Sequence, residues 1–235
     1  MKVTADASNR VYDFWSRFYD ATFGRLVHSR QQTALAQLHL RPGDRVLDMG
    51  VGTGMSLGEY PAHVRVVGLD LSEGMLRQAA DKIRQDDMPH CDLIRADAMH
   101  PPFAQGSFDH IVMSHTISVV SEPARLLQWA AYLLKPGGRI VVVNHFRSGN
   151  RFIAWWEDRL NPLCVKLGWR SDLCLEECLQ DVAVDVNYRF KLSALDLWEI
   201  LVLRHAPPGS IPEKSTSTPG HGQQPWSGSL AVDLS

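Results

Sequence analysis

The stretch that decides the fold is Val46-Leu47-Asp48-Met49-Gly50-Val51-Gly52-Thr53-Gly54, an apolar strand that runs directly into a glycine loop. Its glycines are spaced G-x-G-x-G, unlike the G-x-G-x-x-G of loops that hold a dinucleotide pyrophosphate. Asp48 stands just ahead of the loop, where a carboxylate repels a diphosphate and attracts an ammonium group, directly or through water. The stretch therefore predicts a site for a small cofactor that has an amino-acid end.

Strands and helices alternate around this loop. The predicted strands cover residues 45–48, 64–69, 91–95, 108–113 and 139–144. The predicted helices cover residues 9–38, 73–84 and 123–134, and less regular patterns give helices near 150–168 and 193–204 with strand-like pieces around 182–192. This repeated alternation of strand and helix predicts a mostly parallel sheet with helices on both faces.

Three acidic residues, Asp48, Asp70 and Asp97, stand at the ends of three successive predicted strands. The carboxyl ends of parallel strands meet at one edge of the sheet, so the three carboxylates are expected to line one crevice. In such sheets an acid after the second strand accepts the hydroxyls of a ribose. An acid after the third strand is placed to accept the exocyclic amine of adenine. An amino acid, a ribose and an adenine in a row describe S-adenosylmethionine.

The motifs in this order resemble those of the class I S-adenosylmethionine-dependent methyltransferases. Residues 46–54 are similar to their motif I and residues 68–76 to their motif II, and residues 96–98, 108–109 and 133–138 continue the pattern. The resemblance implies a Rossmann-like α/β fold with a mostly parallel seven-stranded sheet, S-adenosylmethionine as cofactor and S-adenosylhomocysteine as its product. The residues that it assigns to the cofactor are Tyr19, Asp48, Gly50, Gly52, Thr53, Gly54, Asp70, Leu71, Met75, Asp97, Ala98 and Ser114.

Composition and local sequence narrow the choice of methyl acceptor. A formal net charge of −2 gives no reason to expect nucleic acid as a partner. None of the four cysteines belongs to a C-x-x-C pair, so no metal site is predicted. The fourth predicted strand ends in Met113-Ser114-His115-Thr116, whereas base N-methyltransferases carry Asn or Asp followed by Pro-Pro and an aromatic residue. A small molecule or a lipid remains as the acceptor.

Residues 1–38 are predicted to form an amphipathic helical segment. Six aromatic residues share one face of this segment, with arginines at its edges: Tyr12, Phe14, Trp15, Phe18, Tyr19 and Phe23. This combination suits the surface of an anionic membrane. The alternative is a helix that packs over the cofactor as a lid, and the two roles are compatible. Because the chain shows neither a signal peptide nor an apolar run of membrane-spanning length, we expect a cytoplasmic protein attached peripherally to a membrane.

Three short pieces, residues 15–20, 114–120 and 143–146, resemble the soluble, class I type of bacterial phosphatidylethanolamine N-methyltransferases. That resemblance implies stepwise methylation of the amine of phosphatidylethanolamine, and of its mono- and dimethyl forms, toward phosphatidylcholine. The candidate substrate-binding residues are Asn144, Arg147 and Arg151, at and after the end of the fifth predicted strand. The two arginines are candidates to bind the lipid phosphate, and the alternative is an ordinary pair of solvated arginines.

Tyr19, His115 and His145 are the candidate catalytic residues. At neutral pH, deprotonation of a lysine-like amine costs about 4–5 kcal/mol, so a group that accepts or relays the proton has something to contribute. The alternative is that each histidine only packs or orients its neighbours. Tyr19 is a candidate either to accept a hydrogen bond from the amine or to cover the cofactor.

Two other functions fit the same core. One is a methyltransferase that acts on a quinone ring carbon or on a small amine, and the other is a module that binds S-adenosylmethionine without transferring its methyl group. The predicted organisation is the helical segment 1–38, a methyltransferase domain over 39–206 and a flexible tail over 207–235 that is rich in Pro, Gly, Ser and Thr. No oligomeric state is predicted.

Overall fold

A seven-stranded sheet organises the part of the protein that the computed structural model describes, which is residues 29–148, 155–156, 158–161, 164, 172–193 and 196–205. The strands are β1 (Arg45–Met49), β2 (Arg65–Asp70), β3 (Cys91–Arg95), β4 (Phe108–Ser114), β5 (Leu134–Asn144), β6 (Val184–Phe190) and β7 (Glu199–His205). Their order in the sheet is β3-β2-β1-β4-β5-β7-β6, and β7 runs antiparallel to both of its neighbours. The predicted mostly parallel, seven-stranded α/β fold is confirmed.

Two of the described helices begin where the sequence supplies a local signal. The helices are α1 (residues 29–36), α2 (Glu73–Gln85), α3 (Pro123–Leu133) and the short α4 (Leu175–Cys178), with a 3₁₀ turn over Leu57–Glu59. The Ser72 hydroxyl caps α2 by accepting a hydrogen bond from the Met75 amide at 3.2 Å. Pro123 opens α3, where its missing N–H costs no helical hydrogen bond.

The sheet is covered by an apolar layer on each face. On one face, α3 and α4 pack over side chains that include Met113, Val142 and Leu201. On the other face, α1 and α2 pack over Val112 and Val143 with their neighbours. Successive residues of β4 and β5 therefore alternate between the layers. The runs 111–113 and 140–143 are continuously apolar because both faces of the sheet are buried there.

The strand order reverses between β1 and β4, since β1 leads outward to β2 and β3 while β4 leads in the opposite direction to β5. In open parallel sheets, ligands bind outside the carboxyl ends of the strands at such a switch point. The residues that follow β1, β2, β3, β4 and β5 are thus the ones that the fold brings to a single crevice.

The helix expected near residues 193–204 is wrong, because the structure places β7 there. Residues Ile200 to Leu203 are an apolar run buried between β5 and β6, and periodicity alone does not separate such a strand from a buried helix. Strand β5 also begins at Leu134, five residues before the predicted start. Its pairing with β4 shifts register between Phe108 and His110, which accommodates the Pro-Gly-Gly turn inside the strand.

Residues 1–28 and the tail 207–235 lie outside the described residues, and so do the predictions made for them. The boundaries proposed at residues 38 and 206 stay predictions. Among the helices that are described, none combines the length and the apolar character that crossing a bilayer requires.

Candidate active site

The glycine loop after β1 is held against the end of β2. The amides of Gly50 and Val51 both donate to the Leu69 carbonyl, at 2.7 and 3.0 Å. The φ values of Gly50, Gly52 and Gly54 are +81°, +57° and +74°, a backbone conformation that residues other than glycine rarely adopt. A Cβ at Gly50 collides with the Thr116 side chain, whereas a Cβ at Gly52 meets nothing within 4 Å. The loop is therefore tight at its start and open in its middle, where a ligand has room to approach the backbone.

Asp70 ends β2 directly beside this opening. Its Oδ2 accepts a hydrogen bond from the Gly52 amide at 2.9 Å and its Oδ1 accepts one from the Ser72 amide at 2.9 Å. Burial raises the pKa of Asp70, and the hydrogen bonds from these two backbone amides, together with one from the Leu71 amide, oppose that rise. Because each carboxylate oxygen has further lone pairs, the fixed carboxylate is suited to accept the two hydroxyls of a ribose.

Asp48 lies one strand away on β1 and is 1% exposed. Its Oδ2 accepts hydrogen bonds from the Ser56 hydroxyl at 2.7 Å and from the Tyr60 hydroxyl at 3.0 Å. Burial is the main cause that raises the pKa of Asp48 from 3.8 to about 6; the two hydroxyls lower it and the charge of Asp70 adds to the rise. Such a carboxylate gains most from a nearby cation, because a cation offsets the cost of its burial.

Asp97 follows β3 on the more open side of the crevice. Its Oδ1 accepts a hydrogen bond from the Met99 amide at 2.8 Å, and its side chain is 46% exposed. Ala98 is half-buried, Met75 is buried at the start of α2, and Leu71 is 36% exposed. An exposed apolar side chain near a fixed carboxylate is an arrangement that fits an adenine ring, with one partner for its face and one for its amine.

Strand β4 ends at Ser114, and His115 follows it with a left-handed φ of +61°. The His115 amide donates to the Val143 carbonyl at 2.8 Å, and its ring packs edge-on against Trp198 with centroids 6.0 Å apart. Its Nε2 is buried and has no hydrogen-bond partner among the described residues. Burial, followed by the charge of Arg30, lowers the pKa of His115 from 6.5 to about 4, so the imidazole is neutral at neutral pH.

Comparison with known proteins identifies the chain's family. A methyltransferase domain family matches residues 47–142. The chain is 35% identical over 197 residues to a phosphatidylethanolamine N-methyltransferase from Cereibacter sphaeroides, which covers 83% of this chain and 96% of the relative.

The chain belongs to the class I S-adenosylmethionine-dependent methyltransferases.

Two further relatives differ in how much they share. A demethylmenaquinone methyltransferase from Symbiobacterium thermophilum is 34% identical to this methyltransferase over 126 residues, which covers 51% of this chain and 49% of the relative. A solved geranyl diphosphate C-methyltransferase from Streptomyces coelicolor superimposes with a TM-score of 0.65 at 17% identity, covering 82% of this chain and 84% of the other. That structure contains Mg²⁺, geranyl diphosphate and S-adenosylhomocysteine, and its likeness to the methyltransferase is one of fold.

The residues of the crevice fit S-adenosylmethionine, the cofactor of the family. The backbone is open at Gly52, the carboxylate of Asp70 is fixed by two amides, and Asp48 is a buried carboxylate that a cation would stabilise. The roles given to individual residues of this crevice stay predictions.

At the same edge of the sheet, Asn144 ends β5 and is 1% exposed. Its Nδ2 donates to the His145 carbonyl at 2.6 Å, which fixes the amide orientation and leaves the buried Oδ1 without a partner among the described residues. Glu199 lies directly opposite Asn144 across the β5–β7 ladder, and its buried Oε2 likewise has no described partner, while its Oε1 is 3.7 Å from Lys191 Nζ. The His145 Nδ1 donates to the Leu197 carbonyl at 2.6 Å.

Arg147 is paired in the structure. Its Nε and Nη2 donate to the two carboxylate oxygens of Asp158 at 2.9 and 2.8 Å, and both side chains are more than 40% exposed. The contact expected between Arg147 and a lipid phosphate stays a prediction. Arg151 and Tyr19 lie outside the described residues, so the roles expected for them stay predictions.

Sequence reasoning missed several residues that shape the site. Ser56 and Tyr60 donate hydrogen bonds to Asp48. The only feature of the sequence that pointed to them was their position shortly after the glycine loop. Arg30 and Asp196 form a buried ion pair beside Trp198, and a separation of 166 residues left no local signal. Among the described residues, no group of three or more His, Cys, Asp or Glu side chains is arranged to hold a metal ion.

Proposed function

We propose that this methyltransferase methylates the amine of phosphatidylethanolamine, and of its mono- and dimethyl forms, toward phosphatidylcholine at a membrane surface. The observation that carries the proposal is the length of the match to the Cereibacter sphaeroides relative. It extends over 197 residues, about twice the 47–142 region of the methyltransferase domain family. The resemblance to a lipid methyltransferase thus continues into the acceptor part of the chain, whereas the Symbiobacterium thermophilum relative matches only 51% of it.

The chemistry of the acceptor side supports an amine. Three buried atoms without described partners, His115 Nε2, Asn144 Oδ1 and Glu199 Oε2, belong to residues at the same edge of three neighbouring strands, β4, β5 and β7. A carboxylate and an amide oxygen accept hydrogen bonds, and a neutral imidazole nitrogen with a lowered pKa does so too. The primary amine and its monomethyl form bring N–H donors to such a lining.

On this proposal, S-adenosylmethionine supplies the methyl group from its sulfonium, and the chain's side chains position the two reactants. Asp70 would accept hydrogen bonds from the ribose hydroxyls, Asp97 would accept one from the adenine amine, and Asp48 would attract the ammonium of the amino-acid end. The amine would first have to lose its proton to water or to another group, which frees the lone pair that displaces the thioether from the methyl carbon.

His115 is suited to accept a hydrogen bond from the amine but not to keep its proton. With a pKa of about 4, holding a proton at pH 7 costs roughly 4 kcal/mol. His115 therefore orients the amine lone pair toward the methyl group, and the proton passes on to water or to another group.

Exposed aromatic residues support a membrane-surface location. Trp155 and Trp156 are 52% and 48% exposed, and Leu160 on the same helical stretch is 51% exposed. The guanidinium of Arg159 lies 5.6 Å from the Trp155 ring. Tryptophan beside a cation is typical of segments that enter the headgroup region of an anionic membrane. Together with the aromatic face predicted within residues 1–38, this stretch gives the methyltransferase a surface for lipid.

The experiment is a transfer assay with radiolabelled S-adenosylmethionine and three samples: vesicles with phosphatidylethanolamine, vesicles with demethylmenaquinol, and vesicles without acceptor. The proposal predicts label in phosphatidylethanolamine-derived lipid alone, and none with Asp70→Ala. Label in the quinone alone would replace the proposal with quinone methylation.

Quinone methylation is the second candidate because of a specific observation. Demethylmenaquinone methyltransferases reach 42% identity over 102 residues of this chain, although the match covers 41% of that relative, from Renibacterium salmoninarum. Absence of label from every sample with the wild-type protein would instead favour a module that binds the cofactor without transferring its methyl group.

A further inference from the structure

A buried ion pair joins α1 to the connection between β6 and β7. The Arg30 Nε donates to Asp196 Oδ1 and Oδ2 at 3.2 and 3.0 Å, and its Nη2 donates to Oδ1 at 2.8 Å. The two side chains are 8% and 3% exposed. Asp196 Oδ1 also accepts a hydrogen bond from the Trp198 amide at 3.1 Å, so the carboxylate fixes both the arginine and the backbone that carries Trp198.

The same arginine contacts the ring of Trp198. The Arg30 Cζ lies 4.5 Å from the centre of that ring, close enough for a cation–π interaction. The ring in turn meets His115 at an interplanar angle of 89°. An unbroken series of contacts therefore leads from α1, through Arg30 and Trp198, to the imidazole whose Nε2 is buried without a described partner.

Stability alone is a weak explanation for this arrangement. Burying two charges costs several kcal/mol per ion, and well-packed apolar residues commonly stabilise a protein as much or more. What an ion pair with two-pronged geometry provides is a defined orientation. Here the oriented Trp198 ring packs against the imidazole of His115, whose backbone has a left-handed φ of +61° that also depends on its surroundings.

We propose that Arg30, Asp196 and Trp198 are positioning residues that hold the His115 imidazole, with Nε2 directed at the methyl acceptor, on the acceptor side of the crevice. The inference rests on the proposed function insofar as His115 accepts a hydrogen bond from an amine. It adds three residues that do not touch the reacting atoms but act through one that does.

The charged and titratable groups at the His115 edge of the sheet come from four elements. Arg30 belongs to α1, Asp196 lies in the β6–β7 connection, and His145 and Glu199 lie at the ends of β5 and β7 at the same edge. Arg30 is the one whose charge lowers the pKa of His115, in the same direction as burial. Replacing the pair with neutral side chains should therefore raise that pKa.

The test uses the double variant Arg30→Met/Asp196→Asn, which removes the pair without leaving a buried charge alone. The imidazole of His115 is titrated by NMR, with its resonance assigned from the His115→Gln variant, and methyl transfer is measured with phosphatidylethanolamine vesicles. We expect the His115 pKa to rise by about one pH unit. We also expect kcat to fall about tenfold while the Kd for S-adenosylhomocysteine stays within twofold.

Two controls keep the outcome decisive. The exposed pair of α2 gives the matched variant Arg84→Met/Asp81→Asn, which should change neither the titration nor kcat. If the buried double variant does not fold, Trp198→Phe serves in its place, with the same fall in kcat expected from loss of the indole contact. An unchanged His115 pKa together with a kcat within twofold of wild type would overturn the proposal. Because the titration needs no acceptor, it tests the positioning of His115 even if phosphatidylethanolamine proves not to be the substrate.

Discussion

Cofactor affinity should depend on pH through Asp48. Burial raises the pKa of this carboxyl to about 6, with the Ser56 and Tyr60 hydroxyls opposing the rise. If Asp48 meets the ammonium of the cofactor, binding requires the ionised carboxylate, and protonation competes with binding. Lowering the pH from 7 to 5 is the perturbation.

The size of the effect follows from the ionised fraction. With a pKa of about 6, that fraction is roughly nine-tenths at pH 7 and one-tenth at pH 5, so affinity should fall about tenfold. Binding at pH 5 should release nearly one proton. The same shift acts on the free protein: because the folded pKa lies above the unfolded value of 3.8, stability falls by about 3 kcal/mol as pH rises from 4 to beyond 6.

Calorimetric titration with S-adenosylhomocysteine, in buffers of different ionisation enthalpy, measures both the affinity and the released proton. Asp48→Asn is the control, and its affinity should be weaker at pH 7 and nearly flat between pH 5 and 7. A wild-type affinity that changes less than twofold over this range would refute the reasoning. An unchanged slope in Asp48→Asn would assign the titration to another group, such as Asp70, whose pKa is also raised.

Three further outcomes are expected. Gly50→Ala should lower the free energy of unfolding, measured in a thermal melt, by about 2–4 kcal/mol, because φ is +81° and an added Cβ collides with Thr116. The control Gly106→Ala has a φ of +61° but open surroundings, so its loss of stability should be smaller. Equal losses of stability in the two variants would contradict the steric argument. Trp155→Ala/Trp156→Ala should weaken sedimentation with anionic vesicles severalfold and leave S-adenosylhomocysteine affinity unchanged, and undiminished sedimentation would remove both residues from the membrane contact. Deleting residues 1–25 should abolish that sedimentation, and full persistence would place the lipid contact elsewhere.

The parts of the site that could be predicted from sequence are those in which a strand runs directly into the functional residue. Asp70 is an example, because it directly follows an apolar run. The run predicts the strand, and its last residue places the carboxylate at the end of that strand. The glycine loop is another, because positive φ at Gly50, Gly52 and Gly54 is a local requirement that glycine meets.

The rest depended on contacts that sequence spacing does not encode. Arg30 contacts Asp196 through the tertiary fold, in which β7 lies in the sheet between β5 and β6. The same insertion explains why residues 199–205 form a strand, because the pairing partners, and not the periodicity, decide the conformation. The backbone of His115 was equally hidden, since a left-handed conformation is uncommon for residues other than glycine.

The measurement that tests the cofactor site most directly is calorimetric titration of S-adenosylhomocysteine into wild type and Asp70→Ala, with circular dichroism as the check on folding. The carboxylate at the end of β2, fixed by the amides of Gly52 and Ser72, is taken to bind both ribose hydroxyls. Two charge-assisted hydrogen bonds contribute about 3–6 kcal/mol, so the folded variant should bind more than a hundredfold more weakly. An unchanged Kd in a folded Asp70→Ala protein would contradict the placement of the cofactor at this edge of the sheet.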